Sequence, residues 1–140
     1  MSKSIAVALA TSFAVVTLSM ALAPGLLAQE VGQTKEIAPG ISIKNLSEVP
    51  SNVPGFEKVR TVEVTVQPGA AIPSEGFKMD RPMFCTVLKG EMTFKVDGVD
   101  TTYKAGDSYS CRVGQTFHGK NTGSEPYMER IHELVAPGQQ

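Results

Sequence analysis

The stretch PGAAIPSEGFKMDRPMFCTVLKGEMTFKVDG, residues 68–98, decides how the chain is read. It opens on a proline–glycine turn and closes on Asp97-Gly98, a two-residue hairpin signal. Between these turns, residues 83–88 and 92–96 read as strands, separated by Lys89-Gly90-Glu91. Upstream, Val62, Val64 and Val66 alternate with Glu63, Thr65 and Gln67, the period of a half-buried strand. Downstream, residues 99–104, 108–112, 117–120 and 127–135 follow at short intervals. Ala105-Gly106-Asp107, Gly114 and Asn121-Thr122-Gly123 punctuate them. No stretch after residue 30 carries a sustained helical period. Seven or eight short strands with Gly and Pro turns predict an all-β sandwich or barrel.

The 140 residues suit one domain. Residues 1–28 read as a secretory signal peptide. Lys3 carries the only charge, residues 5–22 are apolar apart from Thr and Ser, and Pro24-Gly25 breaks the run before a cut after Ala28. An uncleaved anchor is the alternative, because the apolar run could just span a bilayer. With cleavage the protein is expected in the periplasm or secreted, with no stable membrane insertion. Residues 29–56, with three prolines and two glycines in EIAPGISIKNLSEVPSNVPG (36–55) around an alternating piece at 41–46, read as an N-terminal arm with a short strand. Residues 57–136 form the predicted barrel and 137–140 a tail. Thirteen basic against 14 acidic residues give a formal charge of −1. No basic patch or polybasic run points to nucleic acid or to anionic lipid. Nucleophile-elbow, P-loop, zinc-finger and CxxC patterns are missing from the sequence, and no catalytic residue is assigned.

Taken in order, Pro68-Gly69, Gly90-Glu91, Asp97-Gly98, Gly106-Asp107, Gly114, Asn121-Thr122-Gly123 and Glu125-Pro126 resemble the frame of two characteristic motifs. Those motifs belong to the cupin superfamily. The resemblance covers about residues 58–136 and implies a jelly-roll β-barrel. It also implies a site where three imidazoles and a carboxylate hold a divalent transition metal. Counted from Gly69, the first two ligand positions carry Glu75 and Phe77. Counted back from Gly90 the third carries Met83, and counted from Gly106 the fourth carries Phe117. Phenylalanine has no lone pair to give, and a thioether is a soft ligand ill suited to these ions. The expectation is a barrel without its usual metal and with no cofactor. His118 lies one residue past the fourth position, on the opposite face of its strand unless a bulge shifts it. A divalent transition metal on Glu75 and His118, with Asp80 or Cys85, is the alternative.

These substitutions make Glu75, Phe77, Met79, Met83, Cys85, Phe117 and His118 the candidate lining of a small-molecule pocket. Glu75 is read as a pocket carboxylate or as a loop charge in solvent. The aromatic and Met side chains either line an apolar pocket or fill the barrel. Cys85 follows Met83 by two residues and shares its face. The resemblance places the strands of Cys85 and Cys111 close together. It thereby implies a disulfide between them, with buried free thiols as the alternative. His132 sits where polar residues occupy both alternating faces, so its direction is not legible. The leading function is an exported, non-enzymatic or cryptic small-molecule-binding barrel that has lost the usual metal site. One alternative is a metal-dependent enzyme of the dioxygenase or isomerase type with atypical ligands. Another is a structural module, a homodimer in which the arm lends a strand to its partner.

Overall fold

The computed structural model describes residues 30–139, so the predicted signal peptide lies outside the described residues. There are ten strands among them: β1 (Thr34–Ala38), β2 (Ile41–Pro50), β3 (Lys58–Val66), β4 (Phe77–Lys78), β5 (Met83–Lys89), β6 (Glu91–Val96), β7 (Val99–Lys104), β8 (Ser108–Cys111), β9 (Thr116–Lys120) and β10 (Tyr127–Val135). They form two sheets, one in the order β1-β2-β3-β10-β5-β8 and one in the order β4-β9-β6-β7. This is the all-β architecture that the turn pattern predicts and the two-sheet jelly roll that the cupin resemblance implies.

Alternation decides which side chains face inward. On β10, Tyr127, Glu129, Ile131, Glu133 and Val135 are buried, while Met128, Arg130, His132 and Leu134 are not. Glu129 pairs with Val64 and Val87, and Ile131 with Val62 and Cys85, so these rows build the inner face of the larger sheet. The smaller sheet answers with Met92, Phe94 and Phe117. Phe94 meets Phe117 and Tyr127 edge-on, with ring centroids 5.9 and 5.7 Å apart, and so ties the two sheets together. At one seam Tyr103 of β7 stacks on Tyr109 of β8 at 4.0 Å, where an edge strand of each sheet comes together.

The turns that frame these strands have specific physical demands. Asp97 and Gly98 adopt φ of 50° and 84°, the left-handed conformation of a tight β6–β7 hairpin. Gly90, at φ 72°, lies so close to the Pro126 carbonyl oxygen that an added Cβ would sit 2.7 Å from it. Asn121 is fully buried. Its Nδ2 donates to the carbonyls of Val66 (2.9 Å) and Glu125 (2.8 Å), and its Oδ1 accepts from Gly123 N–H (2.9 Å). It thereby clamps the approach to β10 onto the end of β3.

The arm differs from expectation. The alternation visible at 41–46 continues as β2 to Pro50, and β2 pairs with β3 of its own chain over that length. A bulge between Asn45 and Ser47 resets the period, which hides the second half of the strand from a pattern reading. β1 adds to β2 in turn. The arm is therefore part of the larger sheet of its own chain, with β1 at the edge.

Candidate functional site

Three of the seven predicted lining residues come together. Phe77 of β4, Met79 just after it and Met83 of β5 line a groove of about 320 Å³. β4 is an edge strand of the smaller sheet, held by pairing of Phe77 with Phe117 and of Lys78 with Thr116. The other apolar lining, Ile37, Ile43, Val64 and Ile131, comes from the larger sheet. The groove thus runs between β4 and side chains of β1, β2, β3 and β10 of the larger sheet. Larger surface hollows of about 390 and 450 Å³ lie elsewhere, bounded by turn residues around Gly90 and Gly123, and by residues 48–50 and 57–58. None of the inward core residues lines them.

The polar members of the groove are Lys78, Asp80 and Glu133. Strand register sets the surroundings of Glu133, which pairs with Arg60 on one side and Met83 on the other. Arg60 Nε donates to Glu133 Oε2 at 2.6 Å, and Arg60 Nη2 lies 2.5 Å from the same oxygen. Arg81 Nη1 stands 3.8 Å from it. Arg81 also grips Asp80 in a two-point contact, Nε to Oδ1 at 2.8 Å and Nη2 to Oδ2 at 2.9 Å. That hydrogen bonding holds the Asp80 carboxyl below the usual carboxylate value and pushes the Arg81 guanidinium up. The result is a chain of alternating charge, Asp80–Arg81–Glu133–Arg60, at one end of an apolar groove.

A second cluster lies deeper. The hydroxyls of Tyr109 and Tyr127 both donate to Glu129 Oε2, at 2.5 and 2.8 Å. Burial raises the Glu129 carboxyl above its ordinary value, and the two tyrosine hydrogen bonds oppose that shift. Burial also pushes both tyrosines upward, with the Glu129 charge adding to it. The Cys85 thiol is raised by its hydrogen bond to Cys111, then by burial, then by Glu129. A thiol so raised is a poor nucleophile. Sequence reasoning missed Glu129 and Tyr127, because YMERIHELV places polar residues on both faces, and it missed Tyr109, because the four residues of β8 are too few to show a period. The available signal was phase: Tyr127, Glu129 and Ile131 share one face.

The remaining predicted residues are placed differently. Cys85 and Phe117 are packed in the core at 2% and 6% exposure, with no share in the groove. Glu75 is exposed, its Oε2 3.4 Å from Ser74 Oγ, so it is a loop charge and not a pocket carboxylate. His118 is half-buried beside Gly76, where an added Cβ would meet its Cε1 at 2.7 Å. With no bulge in β9, Phe117 turns in and His118 turns out. His132 faces outward, its Nδ1 3.1 Å from Thr61 Oγ1.

The disulfide is not formed. Cys85 and Cys111 are free, with Sγ atoms 3.9 Å apart. Cys85 pairs with Tyr109 and Cys111 with Met83, which makes the two cysteines diagonal neighbours. Diagonal residues on one face lie roughly 7–8 Å apart, at the limit of what a disulfide can bridge without backbone movement.

A cupin metal would need several nitrogen or oxygen donors converging on one point. The four counted positions supply an exposed carboxylate, two phenyl rings and a thioether, which do not fit such an ion. Among the described residues, no group of three or more His, Cys, Asp and Glu side chains is placed to hold a metal.

A family model described as a cupin domain matches residues 62–129. No curated protein matches the chain in sequence. Among solved structures it is similar to KdgF from a Halomonas species, at 14% identity and a TM-score of 0.58, over 75% of this chain and 88% of that one. It is likewise similar to an RmlC-like cupin from Shewanella frigidimarina, at 17% identity and a TM-score of 0.57, over 76% and 86%. A predicted oxalate decarboxylase from Thermotoga maritima shares 18% identity and a TM-score of 0.54, over 68% and 80%. Likeness at such identities is a likeness of fold. With the family match running from β3 into β10 across a two-sheet jelly roll, the chain belongs to the cupin superfamily.

Proposed function

We propose that this protein is an exported cupin that binds a small, largely apolar molecule beside Phe77, without the usual cupin metal. The observation that carries the proposal is the groove itself. Its volume, about 320 Å³, falls at the lower end of small-molecule sites, roughly 300–1,000 Å³. Its walls are aromatic, Met and branched aliphatic side chains, with a few polar groups at the rim. Phe77 and Met83 stand at two counted metal-ligand positions, so apolar contact takes the place of coordination there. The apolar leader at residues 5–22 supports export.

The test uses tag-free protein and the apolar fluorophore N-phenyl-1-naphthylamine. Saturable one-to-one binding is expected. Met79→Trp, which places a bulky ring on the groove wall, is expected to weaken it at least about tenfold. Binding that does not saturate, or that ignores Met79→Trp, overturns the groove reading. Elemental analysis of the same preparation should find metal far below one ion per chain. A stoichiometric ion overturns the metal-free part.

A further inference from the structure

We infer that the ligand of this groove carries a neutral hydrogen-bond donor, a hydroxyl or N–H, which the Glu133 carboxylate accepts while the apolar body lies against Phe77, Met83 and Ile131. This rests on the groove reading above and adds the polar chemistry that selects the ligand. Glu133 lines the groove although its side chain is only 8% exposed. A charged group so buried needs partners, and Arg60 supplies the main one. Among the described residues, the contacts of this carboxylate all fall on Oε2: Arg60 Nε, Arg60 Nη2 and the more distant Arg81 Nη1. Oε1 is left as the acceptor that Glu133 offers to a ligand.

The surroundings narrow the donor further. Arg60 already balances the charge of Glu133, Arg81 stands 3.8 Å away, and Lys78 lines the same groove. Among the described residues, Asp80 is matched by Arg81 and Glu133 by Arg60, which leaves Lys78 as the unmatched charge lining the groove, so a neutral donor is favoured over an ammonium. A head that only accepts, such as an ether or carbonyl oxygen, would be set against a carboxylate oxygen and left unpaired. The distance suits a compact molecule. Ile131 and Glu133 are successive inward residues of β10, roughly 7 Å apart along the strand. An apolar body resting on Ile131 brings a terminal hydroxyl or N–H to Glu133.

Three probes of one shape separate the possibilities: naphthalene, 2-methoxynaphthalene and 2-naphthol, titrated into the tag-free wild-type protein by calorimetry. The expected result is 2-naphthol binding about tenfold or more tightly than the other two, as a hydrogen bond to a charged acceptor implies. Glu133→Gln keeps the shape and removes the charge, and should cut that preference to below about threefold. If the variant fails to fold, the wild-type series decides alone. Equal affinities for the three probes overturn this inference and leave the groove reading standing. No binding of any probe overturns both. A preference for 2-naphthol that survives unchanged in Met79→Trp places the binding elsewhere and also overturns it.

Discussion

Glu129 carries a carboxyl into an apolar interior, where Tyr109 and Tyr127 donate to one of its oxygens. Because burial raises its proton affinity above that of an unfolded glutamate, protonation favours the folded state. Its contribution is full below the ordinary glutamate value and is lost as pH rises through the raised one. Glu129→Gln cannot ionise. Relative to wild type it should gain stability as pH goes from about 4 to about 8, which urea unfolding at both pH values checks. Asp80 works in the opposite direction. Its lowered value adds stability above the ordinary aspartate range that is lost on acidification. Its side chain is 65% exposed, so that effect is small, and it cancels in the comparison. At this scale the sequence was partly legible. Phe77 and Met83 could be found by counting from glycines. Glu129 could not, because a strand with polar residues on both faces does not declare which one is buried.

Glycines show how the elements are joined. Gly90 and Gly98 both have positive φ, yet their surroundings differ. A Cβ at Gly90 would meet the Pro126 carbonyl oxygen at 2.7 Å, while one at Gly98 would meet nothing within 4 Å. Gly98→Ala should therefore cost backbone strain alone, about 1 kcal/mol. Gly90→Ala adds a clash with backbone that cannot swing away, and should cost about 2 kcal/mol or more. Chemical unfolding of the two variants side by side checks the order, and equal losses would refute the role of the Pro126 contact. Strands with clean alternation, β3 above all, were legible. β4 was not, since two residues carry no period, and the later half of β2 was masked by its bulge. Yet β4 positions Phe77, so the least legible element is the one that borders the groove.

For the whole molecule, export and redox state meet in one measurement. Expressed with its leader in a bacterial host, the protein should be recovered with an intact mass beginning at Gln29. Both thiol hydrogens should be retained, because Cys85 and Cys111 are diagonal, not opposite. The mass of all 140 residues would instead mean an uncleaved anchor. A mass short of two hydrogens would mean that the strands shift to close the disulfide.

The amino-acid sequence by itself determined the architecture. Alternation and turn chemistry are local and specify an all-β sandwich or barrel, and the ordered series from Pro68-Gly69 to Glu125-Pro126 narrows this to a jelly roll through its resemblance to the cupin motifs. It also determined that three of the four counted ligand positions, those of Phe77, Met83 and Phe117, carry apolar side chains. Three matters belonged to the tertiary structure. One is that Phe77, Met79 and Met83 border a groove while Phe117 and Cys85 fill the core. Another is that the cysteines approach to 3.9 Å without bonding. The third is that Glu129 and Glu133, four residues apart on one strand, take different partners, two tyrosines and an arginine. The physical reason is common to all three. Periodicity tells which face a side chain takes, but depth and register arise between strands distant in sequence, and those pairings exist only once the sheets have closed.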